Sequence, residues 1–386
     1  MEHPLKILFV INDLYTRGNG LAASARRTIA LLREHGHHVR ILSALPRDGD
    51  DCGVGMPEYV LPPLRIPLVD PLIASQGYAF ALAKRREIER ALAWADVVHL
   101  EEPFYLQAVV ARYARRRGVP VVATYHIHPE NLTASVCLDR ALPLNRAILE
   151  LWKRAIFNRS DLVQCPSRSV YERVSKLCVR APLLLLSNGV PLGEEMSGGG
   201  HEVGESSVVR ILVVGRFSRE KDQATILRAL RHSAHARSIQ LTFAGRGPTE
   251  HSLRASARRL LRRGVITHPL RFAFMSADEL AREASSCDLY VHAARIEVEG
   301  LSALEVLRHG VVPIIARGPL TATSQFALSE DSVFEAGHAR ALARAIDVWI
   351  DRGSVGRQCE ARRYRCVGER YDIRTCVARL EEAYRR

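Results

Sequence analysis

Short apolar runs that alternate with helical segments constrain the fold of this chain more than any other feature of its sequence. An apolar run at 6–12 is followed by a glycine-bearing loop at 15–20, a helical pattern at 21–36 and a second apolar run at 37–44. This order of strand, loop, helix and strand is the βαβ unit of a parallel sheet. Further apolar runs follow at 96–100, 119–126, 161–167 and 182–189.

A second alternating series occupies the other half of the chain. Residues 194–207 are rich in Gly, Ser and acidic side chains and lack apolar periodicity, which is typical of a linker. Apolar runs and helical segments resume at 207–217 and continue to about residue 353. We therefore expect an N-terminal Rossmann-like domain over 1–195, a linker over 196–207, a second such domain over 208–363 and a basic terminal helix over 364–386.

The fold class predicted by this pattern is α/β, with two parallel-sheet domains that face a central cleft. A length of 386 residues suits two or three domains, each large enough for its own core. Ligands of open parallel sheets bind beyond the carboxyl ends of the strands. Two facing domains would therefore bring two substrates together in one cleft.

Composition excludes several classes of protein. With 47% hydrophobic and 25% charged residues, the chain is typical of a globular protein rather than of collagen or a disordered chain. Its eight cysteines are scattered, without a CxxC pair or zinc-ligand spacing, which favours reduced thiols in a cytoplasmic protein and no metal site. No apolar stretch approaches the ~20 residues of a transmembrane helix, and the first residues lack the pattern of a signal peptide.

Two glutamates and a glycine mark the stretch 294–316, ARIEVEGLSALEVLRHGVVPIIA. A helix that begins just after Gly300 would present free N–H groups to an anionic diphosphate. Glu305, one turn into that helix, could accept hydrogen bonds from a ribose diol, and Glu297 would lie toward the other end of the ligand. The alternative is structural, because Ser302 and Glu305 also have the S-x-x-E spacing of a capping box.

Two cations follow the first apolar run of the second series. Arg216 and Lys221 stand five residues apart after a predicted strand, which places them at the carboxyl edge of the sheet, where an oxyanion would bind. A solvated turn is the alternative for these residues. Gly245 and Gly247 follow another predicted strand and allow close backbone approach, although a glycine pair alone is a weak signal.

The combination of these motifs resembles a known family. G-R-x-x-x-x-K at 215–221, A-G-x-G-P at 244–248, E-x-x-G-L-x-x-L-E at 297–305 and H-G-V-V-P-I-I-A at 309–316 are similar to the donor domain of family 4 of the retaining glycosyltransferases, which have the GT-B fold. The N-terminal half also resembles that family in order, and the likeness covers roughly residues 5–350. The spacing around Glu297 is most similar to its diacylglycerol and lipid-linked branch.

The resemblance implies a role for each matching residue. Arg216 and Lys221 would neutralise the donor diphosphate, Glu305 would bind the ribose and Glu297 the transferred sugar. Gly18 and Gly20 would close over the phosphates, and His126 would face the sugar from the acceptor domain. Without the family, His126 is only a polar residue at a strand end. The remaining positions that the resemblance assigns to donor binding are Gly215, Gly245, Gly247, Glu299, Gly300, Leu301 and Ser302.

The reaction implied is transfer of a sugar from a UDP- or GDP-linked donor to an acceptor hydroxyl, with retention at the anomeric carbon. The nucleotide sugar is a co-substrate, and no cofactor or metal is expected, because two cations and a helix end can take a metal's place. The branch favours a lipid or glycolipid acceptor, and a soluble small molecule or a polysaccharide is the alternative. As in the family, the terminal helix would cross back to the first domain.

Net charge bears on possible partners. The chain carries 55 Lys and Arg against 42 Asp and Glu, a formal charge of +13. A basic amphipathic helix at 145–158 would suit an anionic membrane surface, which predicts a cytoplasmic protein peripheral to the cell membrane. The alternative is a core helix with a solvated basic side.

Two other classes of function remain as alternatives. The charge alone would allow a nucleic-acid-binding or non-catalytic nucleotide-binding protein, but nucleic-acid motifs and a dense basic run are missing, so we expect no nucleic-acid partner. A nicotinamide-dependent dehydrogenase would need GxGxxG after the first strand, where this chain supplies only Gly18 and Gly20.

Overall fold

A computed structural model describes residues 3–46, 49–65, 78–192 and 208–386. The chain divides into two compact units. Unit 1 comprises Met1–Gly189 and Ile373–Arg386, and unit 2 comprises Val190–Asp372. The linker predicted at 196–207 lies outside the described residues. The N-terminal segment of unit 1 ends at Gly189, before the predicted boundary at residue 195.

Unit 1 is built on a seven-stranded parallel sheet. Its strand order is β3-β2-β1-β6-β7-β8-β9, so the direction of winding reverses at β1, between β2 and β6. A separate antiparallel pair is formed by β4 and β5. The strands are β1 (Lys6–Val10), β2 (His38–Ala44), β3 (Tyr59–Leu61), β4 (Pro63–Leu64), β5 (Phe80–Ala81), β6 (Val97–Leu100), β7 (Val121–Thr124), β8 (Leu162–Cys165) and β9 (Leu183–Leu185).

Helices cover this sheet, and one of them comes from the far end of the chain. They are α1 (Gly20–Glu34), α2 (Arg85–Trp94), α3 (Tyr105–Arg117), α4 (Pro129–Ala134), α5 (Leu142–Ala155), α6 (Arg168–Ser175) and α13 (Ile373–Tyr384). The last packs Ile373, Val377 and Leu380 into the same core cluster as Phe9 and Ile29 of β1 and α1. Burial of this apolar stripe, rather than intrinsic propensity, is what stabilises a helix of this length.

Unit 2 is built on a six-stranded parallel sheet in the order β12-β11-β10-β13-β14-β15, which reverses at β10. Its strands are β10 (Val209–Val214), β11 (Ile239–Ala244), β12 (Arg271–Ala273), β13 (Leu289–His292), β14 (Val312–Arg317) and β15 (Val333–Glu335). Its helices are α7 (Gln223–Ala229), α8 (Glu250–Arg262), α9 (Ala277–Ser286), α10 (Leu301–Leu307), α11 (Ala339–Asp351) and α12 (Gly353–Glu369). Short 3₁₀ turns occur at Phe157–Arg159, Ala236–Ser238, Ala322–Phe326 and Glu330–Ser332.

The predicted fold class is confirmed, since both units are α/β with parallel sheets. One prediction of secondary structure is wrong. The single terminal helix expected over 364–386 is two helices, α12 and α13, which belong to different units. The chain leaves the helical path at Arg370–Asp372, where Val190 donates its N–H to the carbonyl of Tyr371.

The sequence predicts reduced thiols and no membrane-spanning helix. All eight cysteines are free thiols, and Cys165, Cys287 and Cys376 are buried. Within the described ranges, no helix is both long and apolar enough to cross a bilayer.

Candidate active site

In unit 2, the charged residues predicted to bind the donor follow the two strands that flank the reversal of the sheet. Strands β10 and β13 pair directly, with Ile211 opposite Leu289. Arg216 and Lys221 come after β10, and Glu297 comes after β13. The carboxyl edge at such a reversal is where open α/β sheets bind ligands. The predicted position of Arg216 and Lys221 at this edge therefore has a geometric basis.

Lys221 and Glu297 are in direct contact. The Lys221 ammonium donates a hydrogen bond to Oε2 of Glu297, although the residues are 76 positions apart in sequence. Both side chains are partly buried, with 22% and 13% of their surface exposed. Burial alone would raise the pKa of Glu297, but the charge of Lys221 and a hydrogen bond from His292 hold that pKa well below its ordinary value. The carboxylate is therefore ionised throughout the physiological range.

Arg216 is held by a neighbouring carboxylate. Its Nη2 donates to Oε1 of Glu220 over 2.6 Å, and its carbonyl accepts from Nε2 of Gln223 over 2.8 Å. The backbone carbonyl of Glu220 in turn accepts the N–H of Arg295 over 2.7 Å. A guanidinium has five N–H donors in a fixed planar fork, so the bond to Glu220 sets the direction of the whole group.

The loop that carries Glu297 is fixed through its backbone. Glu297 donates its N–H to the carbonyl of Leu320 and accepts from the N–H of Ala322, over 2.7 and 2.9 Å. These two bonds clamp the loop to the segment after β14. The side chain of Glu297 therefore extends from a backbone with little freedom, which suits a binding residue.

Gly300 starts α10 in a left-handed conformation, with φ of +94°. A β-carbon here would lie 2.1 Å from Cγ2 of Thr323, so only glycine fits. The helix begins at Leu301, without a side-chain cap, and Ser302 lies inside its first turn. The capping-box alternative for Ser302 and Glu305 is therefore wrong.

The other predicted donor residues surround this helix start and the neighbouring strand ends. Glu299 is buried, and Leu301, Ser302 and Glu305 are half-buried in the first turns of α10. Gly215 follows β10 with φ of +142° and has open space where a β-carbon would be.

Gly245 and Gly247 have a packing role that the sequence did not reveal. A β-carbon on Gly245 would lie 2.1 Å from the carbonyl oxygen of Gly215, and one on Gly247 would lie 2.4 Å from that of Phe217. Phe217 also donates its N–H to the carbonyl of Arg246. The close approach that these glycines allow is between two loops of the protein itself.

In unit 1, Gly18 and Gly20 lie at the start of α1. Gly18 has a left-handed φ of +81°, whereas Gly20 is the first residue of the helix and has open space around its α-carbon. Between them, the side chain of Asn19 caps the helix by accepting from the N–H groups of Leu21 and Ala22. The loop is thus ordered by an ordinary cap.

His126 follows β7 and lies against a buried carboxylate. Its Nε2 is 2.7 Å from Oε2 of Glu101, which follows the adjacent strand β6. Glu101 also lies 3.4 Å from Nε2 of His99. Burial would raise the pKa of Glu101, yet the two imidazoles hold it below its ordinary value. The sequence reasoning named His126 but missed its carboxylate partner, which only strand adjacency could have indicated.

Both halves of the chain match known protein families. Residues 18–194 match the family described as Glycosyltransferase Family 4, and residues 205–365 match Glycosyl transferases group 1. The chain belongs to the family 4, group 1 glycosyltransferases. Together the two matches span most of both units, so the predicted family is confirmed for this glycosyltransferase. No curated relative matches it by sequence.

Solved structures agree with the GT-B fold of the glycosyltransferase. Anabaena Alr3699/HepE in complex with UDP and glucose is 15% identical, with a TM-score of 0.71 over 98% of this chain and 99% of that one. Sucrose-phosphate synthase from Thermosynechococcus elongatus is 16% identical, with a TM-score of 0.72 over 99% and 98% of the two chains. At these identities the likeness concerns the fold.

Two residues beside Glu297 were not identified from the sequence. Tyr290 and His292 of β13 are buried. His292 contacts the carboxylate of Glu297, and Tyr290 contacts His292. The apolar pattern of the strand concealed them. Their spacing of two residues, which places them on one face of the strand, was the available signal.

Proposed function

We propose that this glycosyltransferase moves a sugar from a UDP-linked donor to an acceptor hydroxyl with retention of anomeric configuration. One observation carries the proposal, namely that Arg216, Lys221 and Glu297 follow the two strands that flank the reversal of the unit 2 sheet, with Lys221 paired to Glu297. Arg216 and Lys221 supply positive charge for a diphosphate, and the ionised carboxylate of Glu297 can accept hydrogen bonds from sugar hydroxyls. The choice of UDP as the nucleotide is supported by the Anabaena structure, which has a similar fold and contains UDP.

Departure of the diphosphate is the costly step, because negative charge develops on the leaving group. Arg216 and Lys221 would stabilise that charge from positions fixed before the reaction, and N–H groups at 300–302 would add to them. Lys221 has three N–H donors, so a bond to Glu297 leaves two for the diphosphate. We propose that these groups act without a metal ion, and we assign no carboxylate nucleophile.

The remaining predicted residues have matching roles in the proposal. Glu305 accepts from the ribose hydroxyls, Glu297 accepts from the transferred sugar and His126 takes part in transfer. Gly18 and Gly20 give the first loop the freedom to approach phosphate. Gly215, Glu299, Leu301 and Ser302 shape the donor site, and Gly245 and Gly247 support it by packing.

A donor panel tests the reaction. The purified protein is incubated with UDP-, GDP- and ADP-linked hexoses, and release of nucleoside diphosphate is measured with and without EDTA. We expect release from a UDP-sugar, unchanged by EDTA, and an α-linked product from an α-linked donor by NMR. Release from a GDP-sugar alone would overturn the assignment of the base, and an inverted product would overturn retention.

The acceptor we propose is a lipid at an anionic membrane surface. In α5, Leu149 and Trp152 are buried in unit 1, as a core helix requires. Leu151 lies on a different face of the helix, and 62% of its surface is exposed. Leu144 and Arg154 are exposed on the same face as Leu151. Exposed leucines beside a cation suit an interface with anionic lipid headgroups.

Vesicle flotation tests the membrane proposal. We expect flotation with vesicles that contain anionic lipid, and weaker flotation of the Leu144→Ser and Leu151→Ser variants. Leu261→Ser is the matched control, because Leu261 is an exposed leucine of unit 2. Equal flotation of all variants, or none with any vesicle, would contradict a membrane role for α5 and favour a soluble or polysaccharide acceptor.

A further inference from the structure

Behind Glu297 lies a continuous chain of buried polar side chains. The hydroxyl of Tyr290 is 2.8 Å from Nδ1 of His292, and Nε2 of His292 is 3.2 Å from Oε2 of Glu297. Tyr290 and His292 are buried, with 0% and 3% of their surface exposed. The donor and acceptor roles along this chain follow from chemistry.

The protons in the chain have only one consistent arrangement. Burial lowers the pKa of His292, which is therefore neutral at physiological pH, and burial raises the pKa of Tyr290, which keeps its proton. The ionised carboxylate of Glu297 can only accept. Nε2 of His292 must therefore carry the hydrogen and donate to Glu297, and Nδ1 must accept from the hydroxyl of Tyr290. Glu297 and Tyr290 thus both favour the Nε2–H tautomer of His292.

Both bonds to the carboxylate fall on the same oxygen. Lys221 and His292 donate to Oε2 of Glu297. Across the described ranges of the chain, Oε1 has no hydrogen-bond partner. The two donors therefore set the rotation of the carboxylate and leave one oxygen for a ligand.

The two donors differ in how a bound diphosphate affects them. Lys221 is a cation on a flexible stem, and a diphosphate bound by its other two N–H groups would compete with Glu297 for its charge. His292 is a neutral, buried residue of β13, so the diphosphate exerts little pull on it. Its hydrogen bond would keep the carboxylate in place while Lys221 is shared with the donor.

We propose that Tyr290 and His292 are positioning residues that hold Glu297 with Oε1 presented to the transferred sugar. This inference rests on the proposed function and deepens it. The competing explanation is that the chain only satisfies buried polar groups. That explanation predicts changes in stability upon substitution, and no specific change in transfer by a folded variant.

The first experiment needs no substrate. Nitrogen-15 NMR of the histidine rings, with His292 assigned by the His292→Gln variant, reports which ring nitrogen carries hydrogen. We expect the Nε2–H tautomer in the wild-type protein, and a smaller share of that tautomer in Tyr290→Phe, which lacks the donor to Nδ1 but keeps Glu297 as the acceptor from Nε2. A predominant Nδ1–H tautomer or a charged ring at pH 7 would overturn the proposal.

The second experiment measures transfer and UDP affinity in folded variants. Gln at position 292 keeps an N–H near the place of Nε2, whereas Leu removes it. We expect kcat to fall by about tenfold to a hundredfold in His292→Leu, with recovery of most of the loss in His292→Gln and with UDP affinity unchanged. His235→Gln is the matched control, because the Nε2 of His235 also contacts a carboxylate, that of Asp351 at 2.7 Å, and His235 precedes β11 rather than following a strand.

The outcomes separate this proposal from the proposed function. A wild-type kcat in folded His292→Leu or in Tyr290→Phe would overturn the positioning role while transfer itself is established. If the wild-type protein released no diphosphate from any nucleotide sugar, the proposed function would fail. The tautomer measurement would then still decide whether Tyr290 and His292 orient the carboxylate.

Discussion

The two sheets end in carboxyl edges of different electrostatic character. In unit 2, Glu297 lies against the cation Lys221, and Arg216 is nearby in sequence. In unit 1, the corresponding loop after β6 carries Glu102, which is buried and, among the described residues, accepts hydrogen bonds from the uncharged groups of Asn12, Gln107 and Tyr78. Burial raises the pKa of Glu102 to about 7.

This difference shows that one topology supports two kinds of site. The proposed diphosphate ligand is anionic, and the unit 2 edge would meet it with the cations Arg216 and Lys221. The unit 1 edge contains Glu102, a buried carboxyl group whose charge depends on pH near neutrality. The comparison predicts that substitutions in unit 2 chiefly affect transfer, whereas those in unit 1 chiefly affect stability and its pH dependence.

The largest expected effect comes from loss of a cation in unit 2. Lys221→Ala or Arg216→Ala should lower kcat/KM for the nucleotide sugar by about a hundredfold or more, because each removes a preorganised charge at the leaving group. Arg237→Ala is the control, since Arg237 is an exposed cation elsewhere in unit 2. Normal transfer by both site variants would remove the contrast between the two edges.

The next effect concerns Glu102. Its pKa is raised from 4.5 to about 7, so the folded state holds the proton more tightly than the unfolded state does, and stability from this group is lost as pH rises through that window. The loss is at most about 3 kcal/mol. Glu102→Gln should therefore gain stability relative to the wild type between pH 5 and pH 8, as measured by urea unfolding.

His99 supplies an opposing dependence on pH in the same unit. Burial lowers its pKa from 6.5 to about 4, so its contribution to stability is lost as pH falls through that range. The wild-type curve alone would therefore conceal both effects. Only the difference between variant and wild type isolates Glu102, and a difference that does not change with pH would show that this carboxyl is not perturbed.

A smaller effect is expected from His126. Glu101 holds the ring of His126 through Nε2. Replacement by Ala should lower kcat about tenfold, because the variant loses about one hydrogen bond to the reacting groups. Rates at saturating donor would measure this. A drop as large as that of Lys221→Ala would mean that unit 1 contributes as much charge to the reaction as unit 2 does.

The smallest effect is expected at the terminal helix. The hydroxyl of Tyr384 lies 2.7 Å from Nδ1 of His99 in the core of unit 1. Tyr384→Phe should lower the free energy of unfolding by about 1–2 kcal/mol and leave UDP affinity unchanged. Weaker UDP binding by this variant would show that the two edges are not independent.

Much of the fold was predictable because the apolar runs coincide with buried strands. The strands at 6–10, 209–214 and 312–317 all lie in runs that the pattern identified. The break between α12 and α13 was not predictable, since residues 370–372 (Arg, Tyr and Asp) contain neither Gly nor Pro. The break arises because α12 packs on unit 2 whereas α13 packs on unit 1.

The candidate residues could be named from the sequence, but their contacts could not. Position after a strand identified Arg216 and Lys221, and the loop before a predicted helix start identified Glu297. Pairing of Lys221 with Glu297 depends on strand order, which brings together residues far apart in sequence. Tyr290, His292 and Glu102 escaped notice because burial usually indicates an apolar role, and their function follows only from the partners that surround them.

Residues 373–384 also constrain the order in which the chain folds during synthesis. Unit 2 is continuous, so all its segments are available once Asp372 has been added. Unit 1 begins first, yet its core requires Ile373, Val377 and Leu380. The apolar face that α13 covers must therefore stay open while all of unit 2 is translated. The first unit to emerge is the last to be completed, and that interval is when the nascent protein is most exposed to aggregation and to chaperones.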